Sequence, residues 1–501
     1  MNLLEVLEMR TEQFSSRSVS TCLSRGRLIS LFCGLLVMVL VLGSYVLPGI
    51  NRELLLRPFH YASANQTALE NYSNDVEEQC QDFALNLSCA KAYHSIRFIT
   101  RVAMSPWEST KRKLPKLAEL RKQEPHMFSL IPNRFLSSSE NPCWYEEYRG
   151  NISADPYSSN AYALYSSRFR RLFEYLRKVF WKNLLWRGER CFRLRCLPHF
   201  YIIGQPKCGT TDLFNRLSLH PAVRFSLIKE PHWWTRKRFG IIRLRDGFSN
   251  RYPIEDYLDL FDLAAHQVHG PQHINNGTDN TMDNIIIGEA SASTMWDNTA
   301  WTFFYSNTSS GEPPSLIQDF LHTFHSNAKF MVMLRDPTER LYSDYLYFAP
   351  ANKSAEDFQE KVVESLQLFE NCLQHYSLRA CAYSASLNDA MPVRLQVGLY
   401  VIFLLDWLTV FPKEQLLVLK LEDHASNINY TMHLVFSFLN LGPVSKKQEE
   451  VITRIPASNA RRAEDRSLGP MLNITKQILR DFHRPFNQKL AWLLQNDTFL
   501  W

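Results

Sequence analysis

Short apolar runs alternate with segments of helical periodicity from residue 200 to the C-terminus. The runs with strand character are 200–203, 222–227, 284–288, 328–334 and 415–421. The segments with helical character are 168–184, 210–220, 315–325, 393–411 and 428–439. This alternation predicts an α/β domain with a central parallel sheet flanked by helices, whose ligands bind at the carboxyl ends of the strands.

The longest apolar run, residues 28–47, carries no charge over twenty residues, which is enough for a membrane-spanning helix. Three arginines just before it predict a cytosolic tail over 1–27, because positive charge stays on the cytosolic side. A cleaved signal peptide is the alternative, but its apolar core would be shorter and would end at small residues. We therefore expect an uncleaved signal-anchor, a lumenal stem over 48–140 and a catalytic domain over 141–501.

The chain after the apolar run has the features of a lumenal protein. All ten Asn-x-Ser/Thr sequons and eight of the ten cysteines follow it. Three close cysteine pairs suggest local loops, although spacing alone does not fix the connectivity: Cys80/Cys89, Cys191/Cys196 and Cys372/Cys381. No cysteine or histidine cluster has metal-ligand spacing, so no metal is expected. Aromatic residues and turn formers mix over 141–160, which we expect to be ordered loop.

The first strand of the series leads into a glycine-bounded loop, Gly204 to Thr211, and then into a helix. Such a loop presents backbone N–H groups and the positive end of a helix dipole to an anion. The glycine spacing is that of a nucleotide P-loop, but there the lysine directly follows the second glycine, where this chain has Thr210. Lys207 lies inside the loop instead, which makes a nucleoside-triphosphate kinase the least favoured function.

A second phosphate-binding element is expected about 130 residues further on. Arg335 stands at the end of a predicted strand, Asp336 is a plausible N-cap and Pro337 suits the first turn of a helix. Ser343 follows two turns later. Together Arg335 and Ser343 offer a bidentate guanidinium and a hydroxyl to a phosphate.

The candidate base lies in the segment Lys229 to Trp234, whose sequence is KEPHWW. Glu230 is a carboxylate that can take a proton from an attacking hydroxyl, and His232 is the alternative base because imidazole titrates nearer to neutrality. The structural alternative for Glu230 is an ion pair with a neighbouring arginine.

The motifs PKCGTT, LRDPTERLYSDY and KEPHWW together resemble the Golgi carbohydrate sulfotransferases that use 3′-phosphoadenosine-5′-phosphosulfate (PAPS). The resemblance covers about residues 195–501 and implies a P-loop-like sulfotransferase fold. The residues that it implies for PAPS binding are Lys207, Cys208, Gly209, Thr210, Thr211, Arg335, Ser343, Arg461 and Arg462. It also implies Glu230 as the base, with Lys207, and Lys229 as a second candidate, stabilising the leaving oxygen. Glu289 and Ser291 match the family's acceptor-site strand.

The acceptor is expected to be a polyanion. Residues 168–195 hold ten Lys or Arg against two acids, and further basic residues follow Glu230. The resemblance implies sulfonyl transfer to chondroitin or dermatan sulfate, at C6 of N-acetylgalactosamine 4-sulfate, by a Golgi type II membrane protein. The alternatives are a heparan sulfate N- or 3-O-sulfotransferase and a non-catalytic glycan-binding or receptor-like protein. No nucleic acid partner is expected, and a homodimer stays open.

Overall fold

The computed structural model describes residues 83–105, 112–151, 154–240, 251–268, 285–303, 311–349 and 353–501. Two sheets lie within these residues, one antiparallel and one parallel. The apolar run at 28–47 falls outside them. Among the helices that are described, none has both the length and the hydropathy to cross a bilayer.

A three-stranded antiparallel sheet comes first in the chain. Its strands, in the order β1–β3–β2, are β1 (Cys143–Tyr148), β2 (Leu185–Arg187) and β3 (Arg190–Cys196). β1 pairs with β3 along its whole length. The expectation of loop over 141–160 is therefore wrong for 143–148, where aromatic and acidic residues form a strand.

The strand register also decides the disulfides. It places Cys143 opposite Cys196, and these two residues are bonded. The expected pair of Cys191 with Cys196 is wrong, because the two residues lie at opposite ends of an extended strand, about 16 Å apart at 3.3 Å per residue. Cys191 is buried as a free thiol. The expected pair of Cys372 with Cys381 is confirmed.

The parallel sheet has five strands in the order β5–β6–β4–β7–β8. They are β4 (Phe200–Gly204), β5 (Val223–Phe225), β6 (Ile286–Ala290), β7 (Lys329–Leu334) and β8 (Leu416–Lys420). Tyr201 and Ile203 of β4 enter one core cluster, whereas Phe200 and Ile202 enter another. Side chains alternate between the faces of a strand, so the sheet is buried on both sides, as parallel sheets are. The predicted parallel sheet and its five strands are confirmed.

The helices predicted over 168–184, 210–220, 315–325 and 428–439 are confirmed, and few of the others were predicted from the sequence. The α-helices are α1 (Phe83–Met104), α2 (Leu117–Gln123), α3 (Pro125–Leu130), α4 (Ala161–Tyr165), α5 (Ser167–Phe180), α6 (Thr210–Leu217), α7 (Ile254–Asp259), α8 (Asp262–Val268), α9 (Ile317–Phe324), α10 (Pro337–Phe348), α11 (Ala355–His375), α12 (Leu378–Ala382), α13 (Ala385–Ala390), α14 (Tyr400–Leu408), α15 (Leu421–Ser426), α16 (Ile428–Phe438), α17 (Lys446–Arg454), α18 (Ala463–Ser467) and α19 (Asn473–Leu494). Single 3₁₀ turns lie at Trp181–Asn183, Lys237–Phe239, Thr299–Phe303, Leu395–Gly398, Lys413–Gln415 and Asp497–Leu500. The segment predicted as one helix over 393–411 is thus a 3₁₀ turn followed by α14.

Helix α1 lies within the stretch expected to be a stem, yet it packs on the same body as the parallel sheet. The Tyr93 hydroxyl donates to Asp481 of α19 at 3.2 Å, and the Ser95 hydroxyl donates to Glu370 of α11 at 2.6 Å. Ala92 on the same helix is fully buried. Residues from 83 onward therefore contribute to the core.

Candidate active site

The phosphate loop lies at the carboxyl end of β4, between β6 and β7. Gly204 ends the strand, and Gly209 opens α6 with a φ of +88°. This positive φ favours glycine, and a Cβ at this position would also stand 2.6 Å from the Leu421 side chain, which would have to move. Thr210 is buried and Thr211 half-buried in the first turn, where a helix presents N–H groups without intrahelical partners.

Three of the predicted cofactor-binding cations meet at this loop. The Lys207 ammonium lies 3.8 Å from the centroid of the Tyr347 ring, and the Arg462 guanidinium lies 5.6 Å from the same ring. Arg335 Nη1 donates to the carbonyl of Lys207 at 3.5 Å. Burial lowers the pKa of Lys207, and the charges of Arg335 and Arg462 lower it further, against the opposing effect of Asp344.

The strand-end arginine and its helix are arranged as expected. Arg335 follows β7, and Asp336 caps α10 by accepting a backbone hydrogen bond of 2.9 Å from the first turn. Ser343 lies half-buried on α10, two turns beyond Arg335. Arg461 lies 5.4 Å from the ring of Tyr342 on the same helix. The two arginines of the C-terminal loop therefore contact adjacent turns of α10.

The base segment is held against the end of β6. The Glu230 N–H donates to the Ala290 carbonyl at 2.8 Å, and the Ala292 N–H donates to Glu230 Oε2 at 2.9 Å. The Lys229 ammonium contacts Oε1, and His232 Nε2 lies 3.3 Å from Oε2. Burial would raise the pKa of Glu230, but Lys229, His232 and the Ala292 N–H together hold it below its ordinary value. Glu230 is thus a carboxylate at neutral pH.

The loop and the base segment meet where β4 and β6 end side by side. A Cβ added to Gly204 would stand 3.0 Å from the Met295 Cβ and 3.7 Å from the carbonyl of Ala292, the residue that binds Glu230. The Met295 N–H donates to the Ile203 carbonyl at 2.8 Å. The turn after β6 therefore joins the carboxylate to the start of the phosphate loop.

Glu289 and Ser291 lie beneath the site and support it. Glu289 is 1% exposed and Ser291 2% exposed, so the expectation that they contact the acceptor is wrong. The Ser291 hydroxyl donates to Glu289 Oε1 at 2.6 Å and accepts from the backbone N–H of His232 at 3.1 Å. His232 Nδ1 lies 2.7 Å from the Ser293 hydroxyl. Burial, with the nearby charge of Glu230, raises the pKa of Glu289 to about 8.

Backbone conformation singles out the same residues. Lys207, Glu230 and His232 have φ values of +66°, +66° and +52°. They are three of only seven non-glycine residues with positive φ in the described ranges. Such conformations cost free energy and concentrate at functional sites. The backbone therefore marks the loop and the base segment independently of their sequence motifs.

Residues 197–469, which hold both halves of this site, match the sulfotransferase domain family. The chain belongs to the sulfotransferase family. This sulfotransferase is 61% identical to human carbohydrate sulfotransferase 15 over 100% of this chain and 90% of the human protein, and the mouse protein of that name gives the same figures. It is 26% identical to mouse heparan sulfate glucosamine 3-O-sulfotransferase 3A1 over 60% of this chain and 64% of the mouse protein.

The family implies PAPS as the sulfonyl donor, and the residues of this sulfotransferase fit it. A loop with a left-handed glycine at its helix junction is followed by the first turn of α6, and Lys207, Arg335 and Arg462 gather three positive charges beside it. Clustered cations with helix N–H groups are what a phosphorylated ligand needs. Within the described ranges, no three His, Cys, Asp or Glu side chains are placed to hold a metal ion.

Cys208, predicted to contact PAPS, has a fully buried side chain in this sulfotransferase. Its buried thiol lies 3.6 Å from the Pro206 carbonyl and 3.8 Å from the Tyr400 hydroxyl. Burial raises the pKa of the thiol to about 12. Tyr400 in turn donates to the Arg335 carbonyl at 2.9 Å, so it links the loop to the end of β7. Sequence reasoning missed Tyr400, because no motif includes it.

A buried network, also missed, ties α6 to the segment that leads into the arginine loop. Asp212 accepts hydrogen bonds from Arg216 at 2.6 Å, from His424 at 2.8 Å and from the Ser458 N–H at 2.8 Å. Arg216 also donates to three backbone carbonyls between residues 452 and 455 at 2.6, 3.1 and 2.9 Å. The only signal in the sequence is the i,i+4 spacing of Asp212 and Arg216 on a predicted helix.

Some basic residues that were expected to bind a polyanion instead form ion pairs within the protein. Arg195 is fully buried, and its Nη1 contacts Asp259 at 2.7 Å and Asp262 at 3.0 Å. Arg236, from the basic run after Glu230, pairs with Asp297 at 2.9 Å. The expectation that the whole basic stripe faces a polyanion is therefore wrong for its last members, whereas several basic residues on α5 are exposed.

Proposed function

We propose that this sulfotransferase transfers a sulfonyl group from PAPS to chondroitin or dermatan sulfate, at C6 of an N-acetylgalactosamine 4-sulfate. The proposal is supported by the 61% identity to carbohydrate sulfotransferase 15 of human and mouse and by the motif resemblance. The observation that carries it is the position of Glu230, whose carboxylate is bound by Lys229 and by the Ala292 N–H in the turn after β6, beside the phosphate loop.

We assign the following roles in sulfonyl transfer to the residues of the site. Bound PAPS supplies the sulfonyl group and the leaving phosphate. Glu230 accepts the proton of the attacking hydroxyl as the new O–S bond forms. Lys207 binds the charge that develops on the departing oxygen, with Lys229 as a second candidate, and Arg335, Ser343, Arg461 and Arg462 bind the 3′-phosphate. His232 is the alternative base, and its 3.3 Å contact with Glu230 also suits a role in orienting that carboxylate.

The same proposal includes a Golgi location as a type II membrane protein. Disulfides form and persist in oxidising compartments, and Cys143–Cys196 and Cys372–Cys381 are bonded. The charge-free run at 28–47, with arginines on its N-terminal side, supplies the anchor in this proposal.

The test is sulfonyl transfer by the purified full-length chain in detergent. PAPS labelled in its sulfonyl group is offered with chondroitin 4-sulfate, dermatan sulfate and heparan sulfate, and the products are resolved as disaccharides. We expect label on C6 of the 4-sulfated galactosamine and none after Lys207→Ala. Label on heparan sulfate alone would contradict chondroitin or dermatan sulfate as the acceptor. Chondroitin binding without transfer to any glycan would favour a non-catalytic glycan-binding protein.

A further inference from the structure

Helix α10 ends in two aromatic side chains that solvent reaches. Tyr347 is 50% exposed and Phe348 47% exposed, and their ring centroids lie 4.8 Å apart at an interplanar angle of 80°. Neighbouring apolar residues of the helix, including Leu341 and Leu346, are buried. Adjacent aromatic rings exposed at a surface form an apolar patch of the kind that binds ligands. We call this pair the aromatic platform.

Three cationic side chains surround the aromatic platform. Lys207 lies 3.8 Å and Arg462 5.6 Å from the centroid of the Tyr347 ring, and Arg394 lies 4.5 Å from that of Phe348. Cations over the faces of aromatic rings are attracted by the ring quadrupole, which holds them near the surface. The ligand that such a surface favours has both apolar faces and negative charges.

Two acidic residues accompany these cations. Asp344 binds Arg394 in a bidentate pair at 2.9 and 2.5 Å, and Asp465 pairs with Lys353 at 3.2 Å. Asp344 neutralises part of the positive charge and holds Arg394 in place.

The aromatic platform lies beside the residues proposed to bind the cofactor. Tyr347 follows Ser343 by four residues, so both are on one face of α10. On its other side, Arg394 also contacts the ring of Trp296 at 5.6 Å. Trp296 belongs to the turn after β6 whose Ala292 N–H binds Glu230. The Lys207 ammonium, which the proposed function assigns to the departing oxygen, lies 3.8 Å from the centroid of the Tyr347 ring, so the platform borders the point of sulfonyl transfer.

We propose that Tyr347 and Phe348 bind a sugar ring of the acceptor chain, next to the sugar that is sulfated. The apolar C–H face of the sugar stacks on one of the two rings and its edge meets the other, while Arg394 binds its sulfate or carboxylate group. This inference rests on the proposed function, because it assumes an acidic glycan as acceptor. It assigns acceptor binding to residues that no sulfotransferase motif above includes.

The test uses the full-length chain with Tyr347→Leu and Phe348→Leu, alone and together. We expect the KM for chondroitin 4-sulfate to rise about tenfold in the double variant, a loss typical of a binding hot spot. In Phe348→Leu the KM for PAPS should stay within about twofold of wild type, because this ring contacts Arg394 and not Lys207 or Arg462, which are proposed to bind PAPS. Tyr347→Phe keeps the ring and should keep the wild-type acceptor KM.

The matched control is Tyr430→Leu, which removes a tyrosine that is 60% exposed on α16. A rise in the PAPS KM with an unchanged acceptor KM would assign the ring to the adenine and overturn the proposal, as would no change in either. Calorimetric binding of a chondroitin 4-sulfate oligosaccharide separates the two proposals, since it needs no turnover. Weaker binding by the double variant supports the aromatic platform even if no transfer is seen, and equal binding overturns it.

Discussion

The phosphate-loop side and the base side of the site are built in different ways. On the loop side, one continuous stretch supplies the strand end, Lys207 and the first turn of α6. On the base side, Glu230 is aligned by Ala290 and Ala292, which lie about sixty residues further along the chain. The first arrangement is local and repeats as a motif, whereas the second exists only after β6 has docked. Nucleotide binding should therefore survive changes that destroy acceptor activation.

Removing the base should give the largest difference between the effect on catalysis and the effect on nucleotide binding. We expect Glu230→Gln to lower kcat about 10²–10⁴-fold, since a positioned general base contributes that much. The amide oxygen can still accept from the Ala292 N–H, so the turn should stay folded. Binding of adenosine 3′,5′-bisphosphate, measured by calorimetry, should match that of wild type. A comparable loss of nucleotide affinity would contradict the separation.

Removing a member of the buried Asp212–Arg216 network should weaken PAPS binding on the loop side without affecting the base side. Arg216→Met leaves the Asp212 carboxylate buried with one partner fewer, and breaking a buried pair costs about 3 kcal/mol in the free energy of unfolding. The KM for PAPS should also rise, because the segment that leads to Arg461 and Arg462 loses three hydrogen bonds.

The control for this prediction is Arg454→Met, which removes an exposed arginine paired with Glu450 at 3.5 Å. An exposed pair contributes about 0–1 kcal/mol, so little change in stability or in the PAPS KM is expected. If Arg216→Met lowered stability while the PAPS KM stayed unchanged, the network would be structural only.

The pH profile tests which group on the base side accepts the proton. A base acts when deprotonated, and Lys229 and His232 lower the pKa of Glu230. As the pH is lowered from neutrality, kcat/KM should therefore stay constant down to the ordinary glutamate pKa of about 4.3. Only below that pH should it fall tenfold per pH unit. Lys229→Met should move this acid limb to higher pH. An acid limb near 6.5 that disappears in His232→Gln would identify imidazole as the base.

The smallest effect is expected from Tyr400→Phe. It removes the 2.9 Å hydrogen bond to the Arg335 carbonyl, which contributes about 1 kcal/mol. That corresponds to a rise of about fivefold in the KM for PAPS, with no change in the KM for the acceptor. Tyr383→Phe is the matched control, because its buried hydroxyl donates to Asp406 at 2.9 Å outside the proposed site. It should lower stability and leave both KM values unchanged.

Local patterns were sufficient to predict most of the parallel sheet and the loop side of the site. An apolar run bounded by polar residues gives β7, and Arg335 at its end follows directly. The role of Lys207 could be predicted in the same way, because the loop is short and bounded by glycines. In physical terms, these features depend on contacts among residues that are near in sequence.

The parts that were predicted wrongly depend on distant partners. β1 carries two glutamates, and Glu146 is stabilised in the strand by Arg193 and Arg195 of β3, which the local pattern does not reveal. The Cys143–Cys196 bond follows from the same strand register. Glu289 was misplaced for a similar reason, since its burial depends on how β6 sits among its neighbours.

The match to the family begins at residue 197, but the three-stranded antiparallel sheet before it makes contacts that the rest of the domain needs. Residue 197 is therefore not the start of an independent folding unit. A protein cut there would leave Asp259 and Asp262 buried without Arg195, their shared cation. It would also lose Asn141, whose side-chain amide donates to the Ile285 carbonyl at 2.6 Å and accepts from the Ile287 N–H at 2.7 Å. The region that matches the family thus relies on an N-terminal partner from the same chain, and a shortened enzyme must retain it to be produced intact.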